Sequence, residues 1–241
     1  VVIIEILADR KADGAAAAVL AQAASEDAAV KLAAIKSLGR GLGTPVELPA
    51  LIRILTAADG DPVRGEAIRA VVAVSRKVPA AASQADADLA ALADAKTTPA
   101  KTALIEAVGG IGGAKAFDAV RAALADSDPA VADAAIRALA AWPDAAAVKP
   151  MLDLLAKTSD NTHRVLLLRG AIRLLGSAGR PADQTVAIYK GLLDKAQSPA
   201  DKKLILSGLG GVYDPAALAV VESLLGDKDV QAEAELAAVA I

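Results

Sequence analysis

The chain has 241 residues, 55% apolar but only 2% aromatic, with no cysteine and a formal net charge of −3. The missing cysteines exclude disulfides, thiolate metal sites, iron–sulfur clusters and cysteine nucleophiles. Charge is balanced along the chain, 13 basic and 14 acidic side chains in residues 1–120 against 13 and 15 in 121–241, which argues against nucleic acid or an anionic membrane as partner.

Alanine and leucine supply the hydrophobicity, so the core must come from many small side chains on closely packed helices. Mean hydropathy is +0.44, yet no uncharged apolar run reaches the roughly 18 residues of a membrane span. The only strand-like run, Val1-Val2-Ile3-Ile4, continues into Glu5-Ile6-Leu7-Ala8 and reads as helix. Nothing resembles a signal peptide. The chain is expected to be a piece of a longer protein.

A recurring helical segment then runs through the sequence. It reads Ile35-Lys36-Ser37-Leu38-Gly39 and Ile172-Arg173-Leu174-Leu175-Gly176, with looser copies starting at Ile4, Ile68, Ile105, Ile136 and Leu206. The starting positions lie 31, 33, 37, 31, 36 and 34 residues apart, a period that predicts a helical solenoid. Residues 1–9 are read as the end of a second helix, B. Pairs of helices A and B follow over 13–40, 45–77, 80–110, 114–142, 145–177, 181–211 and 215–241. Helix A examples are Pro45–Thr56 and Lys149–Lys157.

Turn chemistry supports the pairing. Asp61-Pro62, Thr98-Pro99, Asp128-Pro129 and Ser198-Pro199 place a capping residue before a proline at the start of helix B, and Asp214-Pro215 does so for a helix A. Glycines cluster where B helices end, at 39, 41 and 43, at 109, 110, 112 and 113, at 176 and 179, and at 210 and 211. They are expected to take the left-handed C-cap conformation. In one B helix, Val131, Ala135, Ile136 and Leu139 form an apolar stripe opposite Asp133 and Arg137. Residues 80–95 carry only Leu89 and Leu92 as large apolar side chains, which predicts a thin or irregular helix A. Segment 230–241 reads as a cap or a cut edge. No linker is evident, and residues 1–241 are read as one domain.

The stretch from Asp126 to Leu139 (DSDPAVADAAIRAL) resembles the HEAT family of helical repeats, including its bacterial branch related to phycobiliprotein-lyase repeats. The resemblance implies an all-α fold, a right-handed α–α superhelix of about seven helix pairs, with helix B lining the concave surface. Residues 163–176 (HRVLLLRGAIRLLG), with Pro181-Ala182-Asp183 and Lys202–Leu209, are similar to HEAT modules of large exported bacterial proteins. There the module accompanies sugar-active domains of the keto-disaccharide hydrolase type or cytochrome c domains. That likeness implies an accessory scaffold with catalysis elsewhere, and slightly favours an exported location.

Few residues invite chemistry. His163 is the only histidine, so triads and histidine metal sites lack partners, and it reads as a polar residue near a helix start. Arg164, Arg169 and Arg173 are candidates for gripping a carboxylate or phosphate; the alternative is ion pairing with aspartates of adjacent repeats, such as Asp160 or Asp201. A basic residue follows the repeat isoleucine at Lys36, Arg69, Arg137 and Arg173, but Glu106 and Ser207 interrupt the column, which argues against a nucleic-acid track. Trp142 is a candidate hot spot or a packing residue. Tyr189 and Tyr213 read as packing residues at helix edges. The run Gly109-Gly110-Ile111-Gly112-Gly113 follows a helix with no Lys-Ser/Thr after it, so it reads as a cap and turn rather than a phosphate loop. Asp86 and Asp88 fall in a polar, weakly packed helix with no support for acid–base chemistry.

The expected function is a noncatalytic scaffold with a protein partner or attached domain. No cofactor, metal, nucleic acid or membrane insertion is expected. Alternatives are a lyase-like or chaperone-like enzyme of the bilin-attachment type, and an anion- or glycan-recognition surface on the arginines.

Overall fold

A core without large aromatic anchors closes only if helices approach to near backbone contact. The computed structural model, which describes residues 1–12, 14–177 and 179–241, has this character. Among the described residues it is all-α, with fifteen α-helices and no strand. Two units divide the chain, Val1–Ala138 and Leu139–Ile241.

The first unit holds α1 (Val2–Asp9), α2 (Ala15–Gln22), α3 (Ala28–Ser37), α4 (Leu48–Thr56), α5 (Asp61–Ser75), α6 (Asp86–Asp94), α7 (Thr98–Ile111), α8 (Ala114–Ala123) and most of α9 (Pro129–Ala140). A π-helical turn, Leu38–Leu42, extends α3. Helices α1, α3, α5 and α7 stack in succession, while α2, α4 and α6 each lie on the helix that follows. The second unit holds α10 (Val148–Leu155), α11 (Asn161–Ser177), α12 (Ala182–Leu193), α13 (Pro199–Leu209), α14 (Pro215–Glu222) and α15 (Gln231–Ala240). Here α11, α13 and α15 stack, and α10, α12 and α14 lie on their pair partners. Each unit is therefore a solenoid of A and B helices. The expected start of the first pair, residue 13, lies outside the described residues. Helix α4 starts three residues later than expected, because Thr44 donates its N–H and hydroxyl to the Glu47 carboxylate (2.8 and 2.7 Å) and holds residues 44–47 in a turn.

Two caps also shift. Asp61 and Thr98 are the first helical residues, with Gly60 and Thr97 as N-caps. Thr98 is thereby free to donate its hydroxyl to Asp128, one repeat on. Ser198 and Asp214 cap as expected, accepting from the Asp201 and Ala216 N–H groups.

The glycines need a larger correction. Gly112, Gly113 and Gly179 are left-handed, but Gly39, Gly109, Gly110 and Gly210 are not. Their role is close approach. A Cβ on Gly39 would lie 2.9 Å from the Ala70 Cα, one on Gly109 2.7 Å from the Ala138 Cβ, and one on Gly210 3.2 Å from the Ala237 Cα. At Gly39, Gly109 and Gly210 the glycine that ends the repeat thus sets how tightly the next B helix crosses, whereas a Cβ on Gly176 would meet nothing within 4 Å. These contacts also fix the register: Ala70, Ala138 and Ala237 are equivalent positions, and so are the residues just before them, Arg69, Arg137 and Leu236.

The region 80–95 is thin, as expected. A single 3-10 turn, Ala81–Ser83, precedes the nine-residue α6, whose only buried side chain is Asp88. Leu89 and Leu92 are half-buried and wall a groove of about 690 Å³ whose floor includes Ile105 and Val131.

Candidate functional site

The expected arginine cluster separates by helical register. Arg164, near the start of α11, is 4% exposed. Its guanidinium donates to Asp201 at 2.8 Å and to the Leu155 carbonyl at 3.3 Å. Asp201 also accepts from the Gln197 N–H at 2.9 Å. Burial pushes the Asp201 carboxyl up, but Arg164 and the Gln197 N–H outweigh it, and its pKa lies below the ordinary carboxylate value. This is an inter-repeat ion pair between α11 and α13, the pairing weighed in the sequence as the alternative to anion binding.

Arg173, further along α11, is exposed, but its guanidinium is committed. It donates to the carbonyls of Ala140 (3.2 Å) and Trp142 (2.7 Å), where α9 ends. A cation there satisfies orphan carbonyls and faces the negative end of the helix dipole. In the first unit Lys77 does the same for the Gly41 and Gly43 carbonyls (2.8 and 2.5 Å), and Arg76 for that of Gly110. At Gly41 and Gly43, neither of which is left-handed, the Lys77 ammonium stands in for the left-handed glycine cap expected from the sequence. Arg169 is the remaining member: it is exposed, and no ion pair holds it among the described residues.

Trp142 is 1% exposed, with its indole N–H directed to Asp144 at 3.2 Å. That geometry is packing at a turn. Tyr189 is buried as expected; its hydroxyl has no partner among the described residues, and burial pushes its pKa up to about 12. Tyr213 departs from expectation. It is 81% exposed, in the turn between α13 and α14. His163 is half-buried in the first turn of α11, where its N–H donates to Asp160 at 2.8 Å.

The column after the repeat isoleucine is exposed at every copy, and in the first unit it is internally neutralised. Arg69 pairs with Glu66 (2.7 Å) and Arg137 with Asp133 (2.7 Å). Partial burial raises the Glu106 carboxyl, against the pull of Arg137 and Arg64. Glu66 is held below its ordinary value by the hydrogen bond from Arg69 and by the fields of Arg69 and Lys36. In the second unit the equivalent positions are Arg173, Ser207 and Leu236, and Leu236 is 72% exposed.

Asp88 lies in the thin helix α6, yet its own side chain is enclosed. It is fully buried, and its carboxylate accepts from the buried Ser75 hydroxyl at 2.9 Å. Burial pushes its pKa up to about 6, against the pull of Ser75. Among the described residues no group of three or more His, Asp or Glu side chains could hold a metal ion. No helix among them is long and apolar enough to cross a membrane.

Among known proteins, the family model for HEAT repeats matches residues 1–71 and 86–167. No curated protein matches the chain. Two crystal structures of engineered proteins from the Northeast Structural Genomics Consortium are similar to it. One is 17% identical over 93% of this chain and 95% of that chain, with a TM-score of 0.38; the other is 19% identical over 97% and 69%, with a TM-score of 0.42. The family match spans more than half of the sequence and falls on paired, stacked helices joined by inter-repeat contacts: the chain belongs to the HEAT-repeat family.

Proposed function

We propose that this chain is a noncatalytic HEAT-repeat scaffold that presents a surface to a protein partner or an attached domain within a larger bacterial protein. The observation that carries this reading is how the polar side chains are used. Arg164–Asp201, Thr98–Asp128, Lys202–Asp227 and Arg173 with the α9 carbonyls all join one repeat to the next. They build a stack rather than converge on a reacting atom. The exposed Val2, Ile3 and Ile6 of α1 add apolar surface of the kind that HEAT helices bury against a neighbour.

The test is the intact mass of the native protein, with peptide mapping past Val1 and Ile241, followed by turnover assays on the isolated module. Further domains or a stoichiometric partner, with no turnover by the module, is the expected result. Turnover by residues 1–241 alone sinks the reading.

The second reading, anion or glycan recognition, is supported by Arg169 only, since it alone of the arginine trio is exposed with no acceptor among the described residues. Arg169→Ala alone, which leaves the Arg173 cap intact, is expected to lower partner binding if that reading holds. Unchanged binding removes it.

A further inference from the structure

Charge that balances along the sequence is sorted across the first unit. The junctions from an A to a B helix, residues 23–27, 57–61, 95–97 and 124–128, carry six acidic side chains and one basic, Lys96. The junctions from a B to an A helix after α1, α3 and α5, residues 9–13, 40–47 and 76–85, carry five basic side chains and three acidic. Stacked pairs of helices put each set of junctions on its own edge. Contacts between repeats trace the basic edge: Arg40 reaches Asp9, Lys11 lies against Gly41, Lys77 reaches Gly41 and Gly43, and Arg76 reaches Gly110.

Part of this sorting serves the helices themselves, because cations suit helix C-termini. Arg76 and Lys77 are spent that way, on backbone carbonyls. Arg10, Lys11 and Arg40 are not. All three are exposed, and none donates to a carbonyl among the described residues. Arg40 meets only Asp9, at 3.7 Å, with the two side chains 58% and 68% exposed. A surface pair of that kind is weak and readily exchanged. Lys11 has φ 46°, a left-handed conformation that favours glycine, yet a charged residue stands there. Of the other acids, Glu47 is buried and bonded to Thr44, Asp86 at the start of α6 is taken by Lys115, and Asp13 lies outside the described residues.

We propose that this edge docks an extended acidic segment of a partner protein, with a carboxylate opposite each of the three B-helix ends. Packed helices lie about 8–10 Å apart, and an extended chain advances about 3.3 Å per residue. Acids at every third residue therefore match the spacing of the cations, and Arg10, Lys11 and Arg40 supply donors that no carbonyl occupies. This inference rests on the scaffold reading.

The test uses residues 1–241 and three fluorescent peptides of equal length: a Glu-Ser-Gly repeat, a peptide of the same composition with its glutamates contiguous, and a Lys-Ser-Gly repeat. Fluorescence anisotropy at low ionic strength is expected to show the spaced acidic peptide binding several-fold more tightly than the contiguous one, and no binding of the lysine peptide. The combined variant Arg10→Gln, Lys11→Gln and Arg40→Gln is expected to weaken that binding about tenfold. The variant Lys149→Gln, Lys157→Gln and Lys195→Gln removes the same charge from the second unit and is expected to bind as the parent does. Unchanged thermal midpoints verify that both variants are folded. Equal loss in the two variants, equal binding of the three peptides, no binding of any, or tighter binding of a single-stranded oligonucleotide than of the spaced acidic peptide overturns the proposal. If the native partner binds the Arg10, Lys11 and Arg40 variant as it binds the parent protein, the scaffold reading survives and the edge reading falls.

Discussion

A carboxylate buried beside one hydroxyl and a carboxylate buried beside a guanidinium pull stability in opposite directions with pH, and this chain contains both. Asp88, raised to about 6, binds its proton more tightly folded than unfolded. Its contribution is therefore fully present below the ordinary value of 3.8 and is lost as pH rises through about 6. The gap between 3.8 and about 6 corresponds to about 3 kcal/mol. Asp88→Asn, which keeps the shape and removes the charge, is expected to raise unfolding stability at pH 7.5 by about 2–3 kcal/mol. The gain should vanish near pH 4, and urea titrations at the two pH values check it. Asp201 is the converse case. Its pKa is lowered, so its contribution is present above the ordinary value and lost as pH falls through the folded one. Arg164→Ala strands that carboxylate and is expected to cost about 3–5 kcal/mol. Arg169→Ala, five residues on and exposed, should stay within about 0.5 kcal/mol. Two such similar arginines separate only through burial.

At the scale of the helix, the repeat glycines divide into those that touch a neighbour and those that do not. Gly109→Val drives a side chain into Ala138, where even a Cβ would lie 2.7 Å from the alanine Cβ and 3.3 Å from its Cα, and overpacking of this kind costs about 1–3 kcal/mol. Gly176 is helical, within α11, with open space where its Cβ would be. Gly176→Ala is expected to stabilise by about 0.5–1 kcal/mol, because alanine loses less backbone entropy in a helix. Thermal or urea unfolding of the two variants should move in opposite directions. This division also marks the limit of what the sequence could say. The Ile-x-x-Leu-Gly period located the B helices, since apolar spacing and length are local properties. It misassigned Gly39, Gly109 and Gly210, because a left-handed cap and a close helix crossing both demand glycine, and only the position of the next repeat tells them apart. Arg173 and Lys77 were illegible as caps for the same reason: their acceptors are carbonyls of a neighbouring repeat, which carry no side-chain signature. The burial of Asp88 was not legible from its own polar helix, because its partner Ser75 lies thirteen residues earlier on another helix.

For the whole molecule, the stacking of helices on their nearest neighbours makes stability a chain of local joints. Within the first unit, Gly39→Val should raise amide hydrogen exchange in α3 and α5, whose crossing it opens. The amides of α8, which does not touch that crossing, should keep their protection. Uniform loss of protection across residues 1–138 would show a single cooperative block instead. The near absence of aromatic residues gives this arrangement an optical consequence. The sequence contains one tryptophan, and Trp142 sits fully enclosed at the turn after α9, beneath the carbonyls that Arg173 holds. Ultraviolet emission from the native protein therefore comes almost wholly from one indole. A red shift reports water entering that single turn, so the chain carries its own fluorescent gauge for the strength of the Arg173 clasp.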